Sequence, residues 1–257
     1  MRDIHRVNQL PKLALCLGLA ALAGAVWSGS TAVGQHQKPE FRLLFDGRSL
    51  RGWDGDPRYW SVQDGAITGR TTEKQPLRRN TFIIWRGGEV ADFELRLEFR
   101  IEGAEGWGNS GIQYRSRELK EVGRWVLGGY QADIDLGKRY MGILYEERGR
   151  GILALRGQRV VIEPLRQPRG KRLFRRRVVG SLGDPAALVQ QIDPTTWNEY
   201  RIIARGNRLV HSINGTKMVE VVDRDTRHAA SRGVLGLQLH QGKPMTVQFR
   251  NIRLRSY

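Results

Sequence analysis

The sequence predicts an all-β sandwich, or jelly roll, built from two antiparallel sheets. Three observations support this prediction: short strand-like runs follow one another from Phe41 to Tyr257, turn-forming residues separate them, and no amphipathic helix of ten residues stands out. The chain has 257 residues and 31 glycines, which suits one large domain with many tight connections.

The predicted strands are easiest to recognise where apolar side chains recur at every second position. The segment FELRLEFRI has this alternation, which is expected when one face of a strand is buried. Asp64-Gly65 and Asn214-Gly215 are dipeptides typical of hairpin turns. The clearest strands are predicted at residues 93–101, 159–164, 199–205, 208–215, 217–222, 233–240 and 245–256.

Residues 1–34 are predicted to be a signal peptide. Basic residues precede an apolar run at residues 13–26, and small residues follow it up to a cleavage site near Ala32. The run is shorter than the roughly 20 residues that span a bilayer, so a retained membrane anchor is the weaker alternative. We therefore expect an exported protein, in the periplasm or at the cell surface, with no transmembrane segment after cleavage. Because the single cysteine, Cys16, lies in this run, the mature chain would form no disulfide.

The rest of the chain, residues 35–257, is predicted to be one domain with a strongly basic segment. Basic residues outnumber acidic ones by 43 to 26, and the net charge is +17. Arginines are concentrated in a segment that we interpret as a basic insertion at residues 149–188. A solvated basic hairpin is the simplest interpretation, and contact with an acidic polysaccharide or the cell envelope is the alternative. Nucleic acid is disfavoured, because the arginines form one segment and not a stripe across the domain.

Three predicted strands keep one polar face, at residues 109–115, 130–135 and 235–240. Successive side chains of a strand point to opposite faces, so the polar residues of each segment share a side. A face exposed only to water would be served by Lys, Glu and Thr, whereas this one combines amides, carboxylates, a guanidinium and an imidazole. The polar residues are Asn109, Gln113, Arg115, Gln131, Asp133, Asp135, Gln238 and His240.

Such a set of side chains is suited to binding sugars. Amides bind sugar hydroxyls, carboxylates bind hydroxyls or transfer protons, and histidine titrates near neutral pH. Trp107 and Tyr145 are placed where an aromatic ring could stack on a pyranose, whereas Trp53, Trp60 and Trp197 are expected to fill the core. An ordinary polar sheet face with internal hydrogen bonds remains the alternative.

Other catalytic motifs are absent from the sequence. There is no phosphate-binding loop of the GxxxxGK type, no HExxH and no GxSxG. His211 and His228 are isolated and are expected to be structural or surface residues. We predict no cofactor and no metal ligands, and leave a bound divalent ion as an open alternative.

Several segments together resemble the 3-keto-disaccharide hydrolase domain family. In chain order they are FRLLFDGRSLRGW, WGNSGIQYR, GGYQADI, GILYEE, WNEYRI, HSINGTKM and GVLGLQLHQGKPMTVQFRNIRL, which together cover nearly all of residues 41–256. The resemblance implies a concanavalin A-like jelly roll and the cleavage of glycosides already oxidised at carbon 3. Many members read GYE where this chain reads GYQ, so the amide of Gln131 stands where a carboxylate is common.

A ketone at carbon 3 acidifies the proton on carbon 2, which allows elimination of the group on carbon 1 and then hydration. Our hypothesis assigns His240 as the base. Arg115, with Gln113 or Asn109, would stabilise the enolate oxygen. Asp133 or Glu146, with Tyr145 nearby, would protonate the leaving oxygen. The residues expected to bind the oligosaccharide or glycoside substrate are Trp107, Asn109, Gln113, Gln131, Asp135, Tyr145 and Gln238.

Two alternatives stay open at this point. A conventional glycosidase would use Asp133 with Asp135 or Glu146 as a carboxylate pair about 5 to 9.5 Å apart. A noncatalytic, lectin-like carbohydrate-binding module would need the aromatic rings and amides but no base. Turnover of a 3-keto-glycoside distinguishes an enzyme from a binding module.

Overall fold

The computed structural model describes residues 40–169 and 172–257. The predicted signal peptide lies outside the described residues, so its cleavage and the export of the protein stay predictions. The strands, in chain order, are β1 (Arg42–Leu43), β2 (Trp53–Asp54), β3 (Trp60–Gln63), β4 (Ala66–Arg70), β5 (Thr81–Trp85), β6 (Phe93–Gly103), β7 (Asn109–Glu118), β8 (Leu127–Asp135), β9 (Leu144–Glu147), β10 (Gly151–Ala154), β11 (Gln158–Arg169), β12 (Arg172–Ser181), β13 (Asn198–Arg205), β14 (Arg208–Ile213), β15 (Thr216–Asp223), β16 (Val234–Leu239) and β17 (Met245–Ser256). A short 3-10 helix, Ala104–Gly106, precedes β7, and one α-helix, α1 (Pro185–Gln190), precedes β13.

The strands form two sheets, which confirms the predicted all-β sandwich. The larger sheet has the order β12-β11-β15-β14-β13-β6-β17-β4-β3, with β1 also paired to β17, and the smaller has the order β10-β9-β8-β7-β16-β5-β2. Neighbouring strands are antiparallel except β11 and β15, which are parallel. The expectation of purely antiparallel sheets is therefore wrong at this one pair.

The core lies between the two sheets and follows the predicted alternation. In β6, Phe93, Leu95, Leu97, Phe99 and Ile101 are buried, whereas the charged residues between Leu95 and Ile101 are partly exposed. Burial of each such side chain stabilises the fold by about 1.5–3 kcal/mol relative to an exposed position. The larger sheet therefore presents a charged outer face and an apolar inner face.

A histidine is buried within this core. His211 is fully buried on β14, and its Nε2 lies 2.9 Å from the hydroxyl of Tyr114. Its Nδ1 has no hydrogen-bond partner among the described residues. Burial lowers the pKa of His211 to about 3, because an imidazolium ion is poorly solvated there. The prediction that His211 is structural agrees with this position.

The smaller sheet carries the three polar-faced segments on β7, β8 and β16, and part of its outer face is covered by a loop. The segment between β7 and β8 crosses this face, where Trp125 packs against Phe82, Ile84 and Leu127. The indole Nε1 of Trp125 donates to Asp54 at 2.7 Å. Another part of this face forms a cleft.

The basic segment at residues 149–188 contains β10, β11, β12 and the start of α1. Its strands β11 and β12 extend the larger sheet, and β12 is the edge strand. Arg175 and Arg177 on β12 share one carboxylate, that of Glu163 on β11, at 2.6 and 3.9 Å. Contact with an acidic polysaccharide through these arginines stays a prediction.

The tryptophans expected in the core divide into two groups. Trp53 and Trp60 are buried in the core, as predicted. Trp197 is only half-buried, and the guanidinium groups of Arg100 and Arg250 lie 4.8 and 4.0 Å from the centroid of its ring. Its expected core position is wrong, because cation–π contacts with arginine hold the ring in place of apolar packing. In the part of the chain that the structure describes, no helix is both long and apolar enough to cross a membrane.

Candidate active site

The polar residues predicted from strand alternation meet because β8, β7 and β16 are neighbours in the smaller sheet. Gln113 on β7 pairs with Gln131 on β8 and with Gly236 on β16, and Asn109 pairs with Asp135. A cleft of about 440 Å³ opens above these pairs. Seven of the residues predicted to act in catalysis or binding line it, namely Trp107, Asn109, Gln131, Asp133, Asp135, Tyr145 and His240.

Gln131 forms the centre of a buried hydrogen-bond network beneath the cleft. Its Oε1 accepts from Nε2 of Gln113 at 2.7 Å and from Nε2 of Gln238 at 3.0 Å. With its oxygen so occupied, the Gln131 Nε2 faces Asp133 and donates to Oδ1 at 2.5 Å. Gln113 and Gln238, both predicted to bind substrate, are fully buried and orient Gln131 from below.

Gly111 explains how the side chain of Gln131 fits at this crowded position. A Cβ on Gly111 would lie 2.5 Å from Cγ of Gln131, closer than real Cβ contacts allow. The glycine in the segment NSGIQYR therefore makes room for the amide that orients Asp133.

Asp133 is an almost fully buried carboxyl group at the floor of the cleft. Burial raises its pKa well above the usual range, and the nearby carboxylates of Asp135 and Glu147 raise it further, against the hydrogen bond from Gln131. These effects favour the protonated form, so the group is able to donate a proton.

His240 is suited to accept a proton, whereas Asp133 is suited to donate one, because the environment of His240 favours the neutral imidazole. Its Nδ1 lies 2.6 Å from the carbonyl oxygen of Gln241, which can only accept, so Nδ1 carries the proton and Nε2 keeps a free lone pair. Burial lowers the pKa of His240, although the Gln241 carbonyl and the charge of Asp135 oppose this shift. The ring of Trp107 packs edge-on against the imidazole, with centroids 5.9 Å apart.

Asp135 holds the segment after β8 in place at the side of the cleft. Its Oδ2 accepts a hydrogen bond from the backbone N–H of Tyr140 at 2.8 Å. This bond closes the turn after β8, and Tyr140, which was not predicted as a site residue, lines the cleft. Asn80, Ile143 and Ile152 also line the cleft from loops and strands distant in sequence.

Glu147, which we did not predict, lines the cleft where we expected Glu146. Tyr145 and Glu147 are two residues apart on β9 and therefore share a face, whereas Glu146 points to the opposite face. Burial raises the pKa of Glu147, while the charge of Arg148 and hydrogen bonds from Asn80 and Gln238 lower it. The two-residue period, applied to Tyr145, would have identified Glu147.

Glu146 is instead part of a buried ion network. Its two carboxylate oxygens accept from Nε and Nη2 of Arg150 at 2.7 and 2.8 Å. Arg150 also binds Asp223 at 2.7 Å and Asp225 at 3.4 Å. This location gives no support to Glu146 as a proton donor to substrate, and its role in the described structure is to neutralise Arg150.

Arg115 also lies outside the cleft. It has a positive φ of 47°, and the pairing of β7 with β8 shifts register between Tyr114 and Arg117, so the alternation breaks there. The guanidinium donates to the carbonyl oxygens of Ala91 and Gly206 and to Asp92 at 2.7–3.0 Å. Its position gives no support to the predicted contact with an enolate oxygen.

The charge of the cleft differs from that of the whole chain. Three carboxyl groups line it, from Asp133, Asp135 and Glu147, and no arginine or lysine among the described residues does so. Within residues 40–169 and 172–257, no group of three or more His, Cys, Asp or Glu side chains is arranged to hold a metal ion. The cleft therefore offers acids, a neutral base, amides and aromatic rings.

Comparisons with known proteins agree with this fold. A sequence model of the 3-keto-alpha-glucoside-1,2-lyase-like domain matches residues 40–255. A proposed glycosyl hydrolase from Parabacteroides distasonis superposes with a TM-score of 0.53 at 21% identity, over 85% of this chain and 100% of its own. The carbohydrate-binding module CBM66 from Bacillus subtilis gives 0.50 at 17% identity, over 80% of this chain and 96% of its own.

A second Bacillus subtilis protein, of unknown function and with a galectin-like fold, gives a TM-score of 0.50 at 13% identity, over 84% of this chain and 94% of its own. At these identities the structural likenesses show a shared fold. None of the curated proteins matches this chain in sequence.

Proposed function

Because the chain belongs to the 3-keto-alpha-glucoside-1,2-lyase-like domain family, we propose that it is an exported enzyme that cleaves 3-keto-glycosides by elimination followed by hydration. The observation that carries the proposal is that a neutral histidine and a buried carboxyl group face the same cleft. His240 keeps an unprotonated Nε2, and burial favours the protonated form of Asp133. Proton removal and departure of an alkoxide require such a base and such an acid.

The proposed reaction begins with His240. Its Nε2 removes the proton from carbon 2, which the ketone at carbon 3 has acidified. The electron pair of the C2–H bond moves towards the carbonyl and gives an enolate with its charge on the carbon-3 oxygen. The enolate then returns to the ketone as a C1–C2 double bond forms and the C1–O bond breaks, and Asp133 gives its proton to the leaving oxygen. In the second half, water adds its oxygen to carbon 1, Asp133 recovers a proton from that water, and His240 returns its proton to carbon 2.

Negative charge collects on the carbon-3 oxygen while the proton leaves carbon 2. Tyr145 lines the cleft and is suited to donate a hydrogen bond to this oxygen, because a phenol is protonated near neutral pH and burial and the charge of Glu147 raise the pKa of Tyr145 further. This role replaces the one that the sequence assigned to Arg115. A neutral donor fixed in a partly buried site stabilises developing charge without reorganisation during the reaction.

The remaining residues of the cleft suit the binding of a pyranose ring. Trp107 offers an aromatic face for stacking, and Asn80 and Asn109 offer amides for hydroxyl groups. No charged donor is needed for a neutral sugar, which agrees with the absence of arginine and lysine from the described lining.

The second candidate is a noncatalytic carbohydrate-binding module. Gln131 favours it, because an amide stands where a carboxylate is common in the family. In the enzyme proposal, Gln131 is a positioning residue that donates to Asp133, so its amide is compatible with catalysis.

The test uses purified protein and 4-nitrophenyl 3-keto-glucoside, with release of 4-nitrophenol as the readout. We expect turnover, a primary isotope effect when carbon 2 carries deuterium, and no comparable turnover of the unoxidised glucoside. Equal rates on both substrates would favour a conventional glycosidase. Sugar binding without any turnover would favour the binding module.

A further inference from the structure

A second cavity lies beside the cleft. It has a volume of about 390 Å³, and Ile143 forms part of the wall of both. Arg139 lines this cavity while its neighbour Tyr140 lines the cleft, and the Arg139 guanidinium stands 5.1 Å from the centroid of the Tyr140 ring. The two spaces are thus separated by the short segment that follows β8.

Arg156 makes the floor of this cavity rigid. Its guanidinium donates to the carbonyl oxygens of Pro185 at 2.8 Å, Lys138 at 3.0 Å and Met141 at 2.6 Å. These bonds join the β10–β11 connection to the segment after β8 and to the start of α1. One side chain therefore links three of the elements around the cavity.

The polar groups of the cavity are mostly satisfied within the protein. All three contacts of Arg156 are to backbone carbonyls, the Oε1 of Gln158 accepts from the N–H of Leu155 at 3.0 Å, and Ser181 Oγ bonds to the backbone of Gly183. A second sugar ring would therefore find few free partners there. Polar groups already paired inside the protein contribute little to binding hydroxyls.

Apolar side chains form the exposed part of the wall. Leu155 is 40% exposed and Val178 is 53% exposed, and because both line this one cavity they offer apolar surface to a bound ring. Arg139 is the exception, because its exposed guanidinium lies beside the Tyr140 ring and makes no hydrogen bond or ion pair with a carboxylate or carbonyl of residues 40–169 and 172–257. The cavity thus combines an apolar wall with one unpaired cation at its border with the cleft.

We propose that this cavity is the leaving-group subsite and binds an aromatic aglycone that carries a carboxylate. The inference rests on the proposed function, since the glycosidic bond must lie in the cleft for the aglycone to reach the second cavity. The apolar wall contacts the aromatic ring, and the Arg139 guanidinium binds the carboxylate, a geometry that suits a planar fork of donors.

The test compares the 3-keto-glucosides of 4-hydroxybenzoate and of its methyl ester, with methyl 3-keto-glucoside as a substrate without an aromatic group. We expect wild type to prefer the carboxylate over the ester, and Arg139→Gln to reduce kcat/KM about tenfold for the carboxylate alone. Val178→Asp is expected to slow both aromatic substrates but not the methyl glycoside. Arg205→Gln, an arginine on the outer face of the larger sheet, is the matched control.

A direct binding measurement separates the two proposals. Calorimetric titration of 4-hydroxybenzoate into the full chain should show binding that Arg139→Gln weakens about tenfold. Turnover of all three substrates with no selective effect of Arg139→Gln would overturn the subsite and leave the proposed function intact. Carboxylate binding through Arg139 without any turnover would overturn the proposed function while supporting the anion site.

Discussion

At the scale of single residues, His240 is the most direct test of the chemistry. The variant His240→Gln removes the lone pair of Nε2 but keeps a polar side chain of similar size. We expect kcat/KM for 4-nitrophenyl 3-keto-glucoside to fall by about 100-fold or more, because positioned general bases contribute about 10²–10⁴-fold. His228→Gln, at an exposed histidine bonded to Asp225, should leave the rate unchanged. Equal losses in both variants would remove His240 from the mechanism.

The pH dependence of kcat/KM should report His240 and Asp133 together. The base must be unprotonated, and burial lowers the pKa of His240, so the acidic limb should lie below pH 6.5. The acid must be protonated, and burial raises the pKa of Asp133, so activity should fall again as pH rises through that value. Asp133→Asn should flatten the alkaline limb at a reduced rate. An alkaline limb that persists in this variant would contradict the assignment.

The predicted site residues that line the cleft differ in backbone regularity from Arg115, which does not line it. Gln131, Asp133 and Asp135 lie on an unbroken stretch of β8, so counting alternate positions places them together. Arg115 also falls on the polar face when alternate positions of its segment are counted. Its positive φ breaks that alternation, so its side chain does not share the face. Nothing in the segment QYRSR marks this irregularity, so sequence alone could not have excluded Arg115.

At the scale of a strand, β9 holds two neighbouring glutamates in opposite environments. Glu147→Gln should lower kcat/KM about tenfold without lowering Tm, because it removes a negative charge that favours the protonated form of Asp133. Glu146→Gln should destabilise the fold by about 3 kcal/mol, because it leaves the buried Arg150 with less compensation. Kinetics and thermal denaturation of both variants check this, and reversed effects would show that the strand faces are misassigned.

Strand patterns also limited what could be predicted for the fold. The alternation in β6 and the turn dipeptides were sufficient to predict a sandwich. The parallel pairing of β11 with β15 was not visible, because pairing direction depends on how a distant segment returns to the sheet. Tyr140 and Asn80 reach the cleft from loops, where no periodicity indicates direction.

For the whole molecule, His211 should make stability depend on pH. Its pKa is about 3 in the folded protein and near 6.5 when exposed, so the unfolded chain binds the proton more readily. The free energy of unfolding should therefore fall by several kcal/mol as pH drops from 6.5 towards 3. Urea titrations at pH 7 and pH 4.5 measure this change. The variant His211→Gln should be less stable than wild type at pH 7, but its free energy of unfolding should depend much less on pH. An unchanged pH dependence would exclude His211 as its source.

The basic edge of the larger sheet, formed by β11 and β12, is expected to bind an acidic polysaccharide. Arg175 and Arg177 share Glu163, and Arg159 and Arg208 share Glu220, so cations exceed carboxylates along this face. We expect binding to polygalacturonate that weakens as salt rises, with no binding to dextran.

The double variant Arg175→Gln/Arg177→Gln should weaken polygalacturonate binding more than Arg100→Gln/Arg250→Gln, which lies elsewhere on the same sheet. Equal effects of the two double variants would show that net charge alone is responsible.

The separation of charge between the acidic cleft and the unpaired Arg139 beside it has a consequence for the order of events. A substrate with one anionic end is repelled by negative charge in the cleft and attracted by the guanidinium of Arg139, so one orientation of approach is favoured. Uronic acids would be repelled from the cleft before they make any contact there. A neutral sugar with an anionic aglycone would be oriented before it binds. Discrimination would then occur on approach, through the field of the protein, and its strength would decline as the ionic strength of the surroundings increases.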